Sequence, residues 1–497
     1  MNPTIDWHAL APDIVLAGTV LAVLIASFVL NDRNSTQVAR IAFIGTIGAL
    51  IPVLTLANDG ADREMFDGAY AVDNYALALK AFFIVATYVA LLLSIDYIEE
   101  GDYYRSEFYF LLMTSTLGMS VMASSRDLIG LFVALEMISI PTFILAAYRK
   151  HDRVSNEAGV KYYLIGVLSS AIMLYGMSLI FGYTGSTLLS DINAKIAADG
   201  AEPLLTVAIF LSLVGFAFKV SAVPFHFWAP DTYEGAPTPV TAYLSVLSKA
   251  GGFVALLSII FFGFYGTDGA GAELWWPVLW VLAAASMTFG NLAALRQTNI
   301  VRMLAYSSIA QGGFMLVPFA AAGIAAANGD TAAADTSFEA VVIYLLVYGA
   351  MNLGAFAVVI AHARRTRSAE ISSYDGLLQT APAMALMMTI FMASLAGIPP
   401  FAGWFAKFAM FRSVLEAGDA WSVTLGVIAA VNSVIAFYYY AGVIRAMWFH
   451  DPATSERTEV RVPGALLSAI AVTAAITVVI GIYPQWFARV GELTFTG

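Results

Sequence analysis

The chain has 497 residues, of which 60% are hydrophobic and only 12% charged, and its net charge is −11. A soluble protein carries about twice that charged fraction, so the composition excludes an ordinary soluble domain. The negative balance excludes nucleic acid as a partner, and the absence of cysteine excludes disulfides, iron–sulfur ligation and thiolate zinc sites. Runs such as VLAGTVLAVLIASFVL lack the alternation of a β-barrel, which leaves an all-α polytopic membrane protein.

About fourteen apolar stretches are long enough to cross a bilayer as helices, which takes about 20 residues each. In chain order they cover residues 11–30, 38–57, 74–97, 107–124, 126–148, 159–184, 203–228, 237–266, 274–295, 299–322, 338–363, 381–414, 422–448 and 464–487. Lys and Arg are more frequent in the loops that follow odd-numbered spans. The positive-inside rule therefore places those loops in the cytoplasm and both termini on the periplasmic side.

The seventh and twelfth spans contain prolines that are predicted to break the helix. Pro224 lies in FAFKVSAVPFHFWAPD, and Pro399 and Pro400 lie in SLAGIPPFAGWFAKF. Proline removes a backbone donor, and such a break persists in a membrane only where it is buried in protein or lines a wet cavity. Each break has a lysine beside it, and the two breaks lie five spans apart. This arrangement suggests an internal repeat, as in transporters built from paired halves.

Four ionisable side chains lie well inside the predicted spans: Glu136 in the fifth, Lys219 in the seventh, Lys249 in the eighth and Lys407 in the twelfth. A charge near the bilayer centre costs at least ~2.5–3.5 kcal/mol, and such residues usually mark a path for ions or protons. Burial and a nearby opposite charge shift proton affinity in opposite directions, so a buried acid and base can exchange protons. The alternative is that these charges only specify helix packing.

Weaker candidates surround these four residues. His226 follows the proline break of the seventh span and either relays protons between the neighbouring lysines or only packs there. Lys161 opens the sixth span and either pairs with Glu136 or marks the membrane interface. Tyr306 and Gln311 place a hydroxyl and an amide inside the tenth span, where they hold water or bond neighbouring helices.

Three further charged residues are interpreted as surface groups. Lys80, near the outer end of the third span, is expected to extend toward the membrane surface. Asp231 and Glu234 in WAPDTYEGAPTP form either a proton entry point or, as we prefer, a solvated loop. No aspartate is expected inside a span.

Five segments resemble the antiporter-like subunits of respiratory complex I, the proton-translocating NADH:quinone oxidoreductase. They are LFVALEMISIPTFIL, KYYLIGVLSSAIMLYG, FKVSAVPFHFWAPDTYEGAPTPVTAYLSVLSKAGGF, GNLAALRQTNIVRMLAYSSIAQGGFML and SLAGIPPFAGWFAKF. The resemblance covers roughly residues 75–485 and implies two inverted five-helix repeats, broken seventh and twelfth helices, and a hydrated charged axis at mid-membrane. It divides the chain into a three-helix segment (1–106), a first repeat (107–266), a second repeat (267–448) and a C-terminal helix (449–497).

The resemblance also implies the functional residues. The family's proton-transfer glutamate and lysines fall on matching positions here, namely Glu136, Lys219, Lys249 and Lys407, and its supporting lysine falls on Lys161. Family members often carry histidine where this chain has Gln311, and an amide cannot titrate, so a hydrogen-bonded water must bridge there. The segment LEMISIPTFIL and the lysine at 407 favour the subunit N branch.

This family implies a non-redox, proton-translocating subunit of an enzyme complex in the bacterial inner membrane, with no catalysis of its own. Its partners are expected to be other membrane-arm subunits and the lipid bilayer, whereas NADH and quinone are used only by other subunits. We expect no cofactor and no metal in this chain, which has no Gly-rich nucleotide loop. The alternative is a cation/proton antiporter subunit of the Mrp type, against which the expected lack of a buried aspartate argues weakly.

Overall fold

The computed structural model describes residues 5–30, 35–60, 62–101, 103, 105–200, 202–266, 269–452 and 462–495. In these ranges the chain is almost entirely helical. The first helices are α1 (Trp7–Val29), α2 (Ser35–Asp59), α3 (Asn74–Glu100), α4 (Arg105–Ser124), α5 (Leu128–Ala146), α6 (Arg153–Thr184), α7 (Leu189–Asp199), α8 (Pro203–Lys219), α9 (Trp228–Gly235), α10 (Thr238–Tyr243) and α11 (Lys249–Ser258).

The later helices are α12 (Trp276–Ala294), α13 (Ile300–Ala327), α14 (Thr331–Thr366), α15 (Leu377–Thr380), α16 (Pro382–Ala396), α17 (Gly403–Ala417), α18 (Ala420–Phe449), α19 (Gly464–Ile482) and α20 (Gln485–Phe495). Two short strands, β1 (Arg63–Met65) and β2 (Tyr70–Val72), pair antiparallel between α2 and α3. A π-helical turn, Leu244–Ser248, joins α10 to α11, and a second one, Ile259–Phe264, extends α11, so that Thr238–Phe264 is one continuous helix.

Among the described residues, eleven helical segments are long and apolar enough to cross a membrane. The fourth, seventh and twelfth predicted spans fall on α4, α8 with α9, and α16 with α17, which do not meet the same criterion of length and hydropathy. A multi-span helical membrane protein is therefore confirmed, whereas the number of about fourteen spans stays a prediction.

The chain leaves helical geometry twice within its apolar stretches. After Lys219, the last residue of α8, turns lead through Pro224 to the start of α9. After α16, the segment 397–402, which contains Pro399 and Pro400, leads to α17. Each interruption frees backbone carbonyls inside the protein, because a helix end has no intrahelical partners for its last carbonyls.

The centre of the fold is formed by α13, α14 and the continuous helix Thr238–Phe264. In their most apolar stretches these segments are 100%, 94% and 94% buried, whereas α2 and α18 are 28% buried. Helices with little exposed surface cannot use lipid to solvate polar side chains, so polar groups on them must bond within the protein. The candidate site lies on these central helices.

Helices α13 and α14 are longer than predicted, ending at Ala327 and starting at Thr331. The intervening sequence is rich in alanine, which is the best helix former, and the apolar windows missed it because of its polar residues. Asp330 caps α14 by accepting a hydrogen bond from the Ala333 backbone N–H at 3.0 Å.

A buried polar axis as the candidate site

Glu136 lies half-buried in the middle of α5. Its carboxylate accepts a hydrogen bond from Ser170 Oγ on α6 at 2.6 Å. Val133 and Ile140, one turn before and after on the same face, are 49% and 55% exposed. The carboxylate therefore sits close to the outer surface of the subunit, at one end of the set of residues described next.

Lys219 is buried at the last position of α8, with 1% of its surface exposed. Its ammonium donates a hydrogen bond to Ser139 Oγ on α5 at 2.9 Å. Ser139 lies one turn after Glu136, but within the described ranges no ion pair joins Glu136 to Lys219. The acid and the base are thus held on adjacent turns of α5, with a serine hydroxyl as the direct partner of the lysine.

Two glycines bring the end of α8 close to the central helices. A Cβ atom on Gly252 would lie 2.7 Å from Lys219 Cγ, and a Cβ atom on Gly312 would lie 3.2 Å from the Val220 carbonyl oxygen and 3.9 Å from Lys249 Nζ. Any larger side chain would displace these neighbours. The glycines therefore let Lys219 and Lys249 occupy the same small region.

Lys249 is 2% exposed and lies directly after the first π-helical turn. Its ammonium donates to the backbone oxygen of Ser308 on α13 at 2.7 Å and to Ser308 Oγ at 2.6 Å. Tyr348 on α14 donates its hydroxyl to the same Oγ at 3.0 Å. Charge-assisted hydrogen bonds of this length stabilise a buried ammonium without a carboxylate.

Gln311 forms the next link, one turn after Ser308 on α13. Its amide nitrogen donates to the Leu395 carbonyl oxygen at 3.1 Å and to Tyr440 Oη at 3.2 Å. Its amide oxygen accepts from the Tyr344 hydroxyl at 2.6 Å, and Tyr440 also bonds Ser307 Oγ at 2.5 Å. The amide thereby connects α13, α14, α16 and α18.

Lys407 lies at the far end of the set, on α17. It is 7% exposed, and its ammonium donates to the Ala396 carbonyl oxygen at 2.8 Å and lies 5.0 Å from the centre of the Phe314 ring. Ala396 is the last residue of α16, and the preceding carbonyl, of Leu395, accepts from Gln311. The C-terminal end of α16 therefore provides hydrogen-bond acceptors for both Lys407 and Gln311.

These residues form a polar axis, by which we mean Glu136, Ser139, Lys219, Lys249, Ser308, Gln311 and Lys407 with their bonded tyrosines. Sequence reasoning missed a polar stripe on α14. Tyr344, Tyr348 and Asn352 follow each other at intervals of four, and each bonds into the centre; Asn352 Nδ2 donates to Ser245 Oγ at 2.9 Å. Four-residue spacing of polar groups in an otherwise apolar helix is the signal that predicts such a stripe.

Two supporting candidates lie beside the axis. The ring of His226 packs edge-on against Phe289 at 4.5 Å between centroids, and the Tyr306 ring lies 6.5 Å from the same phenylalanine. Within the described part of the chain, no hydrogen bond joins either residue to the lysines. The packing interpretation of His226 therefore fits the geometry better than a relay, whereas the role of Tyr306 in holding water or bonding a neighbouring helix stays a prediction.

The region around Asp231 differs from the expectation. The expected solvated loop is wrong, because WAPDTYEG forms α9 and its acids are ion-paired. Lys161 bonds Asp231 and Glu157, each at 2.7 Å, and Arg302 bonds Asp231 at 3.0 Å and Glu234 at 2.7 Å. Burial opposes ionisation of Asp231, but the hydrogen bonds from Lys161 and Arg302 outweigh it and lower its pKa. Lys161 therefore anchors α9 to α6 and does not pair with Glu136.

Lys80 and Asp13 also differ from the expectation. Lys80 is fully buried, so the expected extension to the surface is wrong, and an aspartate does lie inside a span. Lys80 Nζ bonds Asp13 Oδ2 at 2.9 Å and Tyr70 Oη at 2.7 Å. Tyr70 and Ser120 donate to the two oxygens of Asp13 at 2.5 Å each. This N-terminal cluster ties α1 to α3 and α4, apart from the polar axis.

The described residues contain no group of three His, Asp or Glu side chains able to hold a metal ion. A cavity of about 400 Å³ lies between α2, α3, α14 and α19 and is lined mainly by apolar side chains such as Leu77, Phe82 and Leu346. Such a lining suits hydrocarbon and offers few partners to a polar cofactor.

The fold and the buried axis define an antiporter-like polytopic membrane protein, and the family profile described as "NADH:quinone oxidoreductase/Mrp antiporter, TM" matches residues 125–433. A protein of Heliobacterium modesticaldum named NADH-quinone oxidoreductase subunit N is 40% identical over 472 residues, covering 95% of each chain. A protein of the same name from Trichlorobacter lovleyi is 37% identical over 98% of this chain and 97% of its own. The chain therefore belongs to the family of NADH-quinone oxidoreductase subunit N, which confirms the resemblance.

Solved structures agree with this assignment. A chain in respiratory complex I from Thermus thermophilus with bound aureothin is 32% identical, with a TM-score of 0.78 over 96% of this chain and 98% of that one. A chain in the Mrp complex from a Dietzia species has a TM-score of 0.84 over 99% and 97% of the two chains. At 20% identity the Mrp chain shows a shared fold alone.

Proposed function

We propose that this chain is a proton-translocating, non-redox subunit in the membrane arm of an NADH:quinone oxidoreductase. The observation that carries the proposal is the polar axis, which places one acid and three lysines with neutral partners inside apolar helices. Its partners are other membrane-arm subunits and the bilayer of the bacterial inner membrane, and other subunits use NADH and quinone. We place both termini on the periplasmic side, because the arginine-rich loops lie opposite them.

Protons move along the axis in three steps. Redox chemistry in neighbouring subunits changes the charge near Glu136, which lies close to the outer surface of α5. That change alters the proton affinity of Lys219 through the shared turn at Ser139. The proton then passes by water to Lys249 and Lys407 and leaves to the periplasm. Each proton moved outward costs about 2.3 kcal/mol per 100 mV, which a change of a few pKa units can supply at about 1.4 kcal/mol each.

The two helix interruptions support a paired organisation. One follows Lys219 and the other precedes Lys407, and both contain proline. We infer that residues 107–266 and 267–448 are two inverted five-helix repeats, with the α8–α9 and α16–α17 breaks as equivalent points and about fourteen spans in all. The breaks supply the free carbonyls that water and lysine use at mid-membrane.

Replacing Lys219 by alanine in the assembled complex tests the function. We expect electron transfer and assembly to persist while proton pumping through this subunit is lost, because no other side chain replaces the ammonium. The matched control is Lys195→Ala, which removes a 42%-exposed lysine paired with Asp199. Proton stoichiometry is measured in inverted vesicles, and a normal value in the Lys219 variant would refute the role.

The second candidate is a cation/proton antiporter of the Mrp type. The expected lack of an aspartate inside a span does not disfavour this candidate, because Asp13 lies buried within α1. Reconstitution separates the two candidates. Sodium or potassium flux in liposomes without NADH or quinone would favour the antiporter, whereas migration with NADH dehydrogenase activity in a large native complex favours our proposal. If neutral isosteres at all four charged sites leave pumping unchanged, the charges serve packing only.

A further inference from the structure

The hydroxyl of Ser308, beside Lys249, still needs an acceptor for its own hydrogen. Its oxygen accepts from Lys249 Nζ at 2.6 Å and from the Tyr348 hydroxyl at 3.0 Å. A hydroxyl oxygen has two lone pairs and carries one hydrogen, so these two donors occupy both lone pairs. Because buried polar groups in proteins are almost always paired, the hydrogen of Ser308 must point away from both donors toward a third group.

The third group is not a carbonyl of the serine's own helix. A serine inside a helix often donates to the carbonyl oxygen four residues earlier, as Ser139 on α5 does to Leu135 at 2.7 Å. Among the described residues, Ser308 makes no such bond along α13, since its oxygen is turned toward Lys249 and Tyr348. The acceptor must therefore come from another element packed against α13.

Tyr233 on α9 is placed to be that acceptor. It is 1% exposed, and its hydroxyl lies close enough to Ser308 and Tyr348 to interact with both. Within the described part of the chain, this hydroxyl has no settled hydrogen-bond partner. Its backbone is fixed, because Thr241 Oγ1 donates to the Tyr233 carbonyl oxygen at 2.8 Å and Arg302 bonds acids on both sides of it. The hydroxyl is therefore the part of Tyr233 that is free to turn.

We infer that Tyr233 is a positioning residue for Lys249 and acts through the hydroxyl of Ser308, an inference that rests on the proposed function. When Lys249 is an ammonium, Ser308 accepts from it and donates to Tyr233. When Lys249 is a neutral amine, Ser308 turns its hydrogen to the amine nitrogen and accepts from Tyr233 instead. Tyr348 donates to Ser308 in both states. Neither tyrosine passes on its hydrogen, and Lys249 exchanges its proton with water alone.

The two protonation states of Lys249 depend unequally on Tyr233. Without the tyrosine hydroxyl, the neutral state leaves only one lone pair of Ser308 empty, whereas the ammonium state leaves the Ser308 hydrogen buried and unpaired. A buried donor without a partner costs free energy, so Tyr233 favours the ammonium. Besides the two tyrosines, the titratable group that faces Lys249 is Lys219, which lies against Gly252 one turn further along the same helix.

Removing the hydroxyl in the assembled complex tests the inference. Tyr233→Phe keeps the ring, and Tyr374→Phe is the matched control, because Tyr374 is also fully buried with an unpartnered hydroxyl but belongs to no part of the polar axis. Proton stoichiometry is measured in inverted vesicles over a range of pH. We expect the pH above which the stoichiometry falls to drop by about one unit in Tyr233→Phe and to stay in place in the control.

A double substitution gives a second measurement. Ser308→Ala removes the hydroxyl that Tyr233 serves, so adding Tyr233→Phe to it should move the pH profile no further. The positioning role alone is overturned by an equal shift in both backgrounds, by an equal shift in Tyr374→Phe, or by an unmoved Tyr233→Phe profile while Lys249→Ala fails to pump. Normal pumping by Lys249→Ala overturns the proposed function itself.

Discussion

The buried lysines of this chain have two kinds of partner. Lys219, Lys249 and Lys407 bond hydroxyls and backbone carbonyls, whereas Lys80 bonds the carboxylate of Asp13. A lysine with neutral partners can lose its proton without leaving an unpaired carboxylate buried beside it. An ion-paired lysine cannot, because breaking a buried pair leaves an uncompensated charge. The partners thus separate lysines suited to proton transfer from a lysine that holds helices together.

The Asp13–Lys80 pair gives a prediction at the level of single residues. Asp13→Asn or Lys80→Met alone should destabilise the subunit by about 3–5 kcal/mol, because each leaves its charged partner buried and unpaired. The double substitution should recover most of that loss. The measurement is the temperature at which the purified complex releases this subunit, together with its amount in membranes. A double variant as unstable as the single ones would contradict the interpretation.

The sequence predicts which single residues are buried, but not which partners they bond. The apolar surroundings of Lys249 and Lys407 predict their burial directly, because hydropathy is a local property. Partners are not local: Asp13 and Lys80 are 67 positions apart, and Lys80 near a helix end looks like a surface lysine. The Tyr344–Tyr348 spacing on α14 was available in the sequence, but which residue each tyrosine bonds depends on how α13 and α14 pack.

The position of Lys219 depends on close packing between helices, and the absence of a side chain at Gly252 makes that packing possible. Gly252→Ala should push the Lys219 side chain and Val220 outward, since the new methyl group would lie 2.7 Å from Lys219 Cγ. Overpacking of this kind costs about 1–3 kcal/mol, so we expect an assembled complex with reduced pumping. The comparison is Gly182→Ala, which meets open space, and pumping equal to that of the control would show that Lys219 adapts without cost.

Elements were predictable where they are long and apolar. The windows for α3, α5 and α12 lie within a few residues of the helices because a run of about twenty apolar residues has one stable form in lipid. The eight-residue α9 was missed because Pro230 and Gly235 resemble loop chemistry, and its contacts with α6 and α13, including ion pairs and the stacking of Trp228 on Tyr162, explain why it is helical. Short helices of this kind depend on tertiary contacts more than on propensity.

At the scale of the whole molecule, three central segments are shielded by the others. A carbene-generating probe dissolved in the lipid phase should therefore label α1, α2 and α18 strongly and leave α13 and α14 nearly unlabelled, as read by peptide mass spectrometry. The most apolar stretches of α13 and α14 are 100% and 94% buried, whereas those of α1, α2 and α18 are 28–39% buried, and this difference gives the expected contrast in labelling. The proposed function puts a neighbouring subunit against α5 near Glu136, so labelling there should fall in the complete complex. Equal labelling of α13 and α18 would contradict the arrangement.

The two π-helical turns of the Thr238–Phe264 helix have a consequence for how this protein tolerates changes in length. A π turn holds one residue more than the α-helical turn it replaces. Deleting one residue from Leu244–Ser248 would therefore convert it into a regular α-helical turn and leave the segments on either side close to their present orientation. Deleting one residue from the α-helical part that follows Lys249 would instead rotate everything before it by roughly 100° relative to the rest of the helix, and Lys249 could then no longer reach Ser308. Along this helix, a missing residue should therefore do least damage in the π-helical turns.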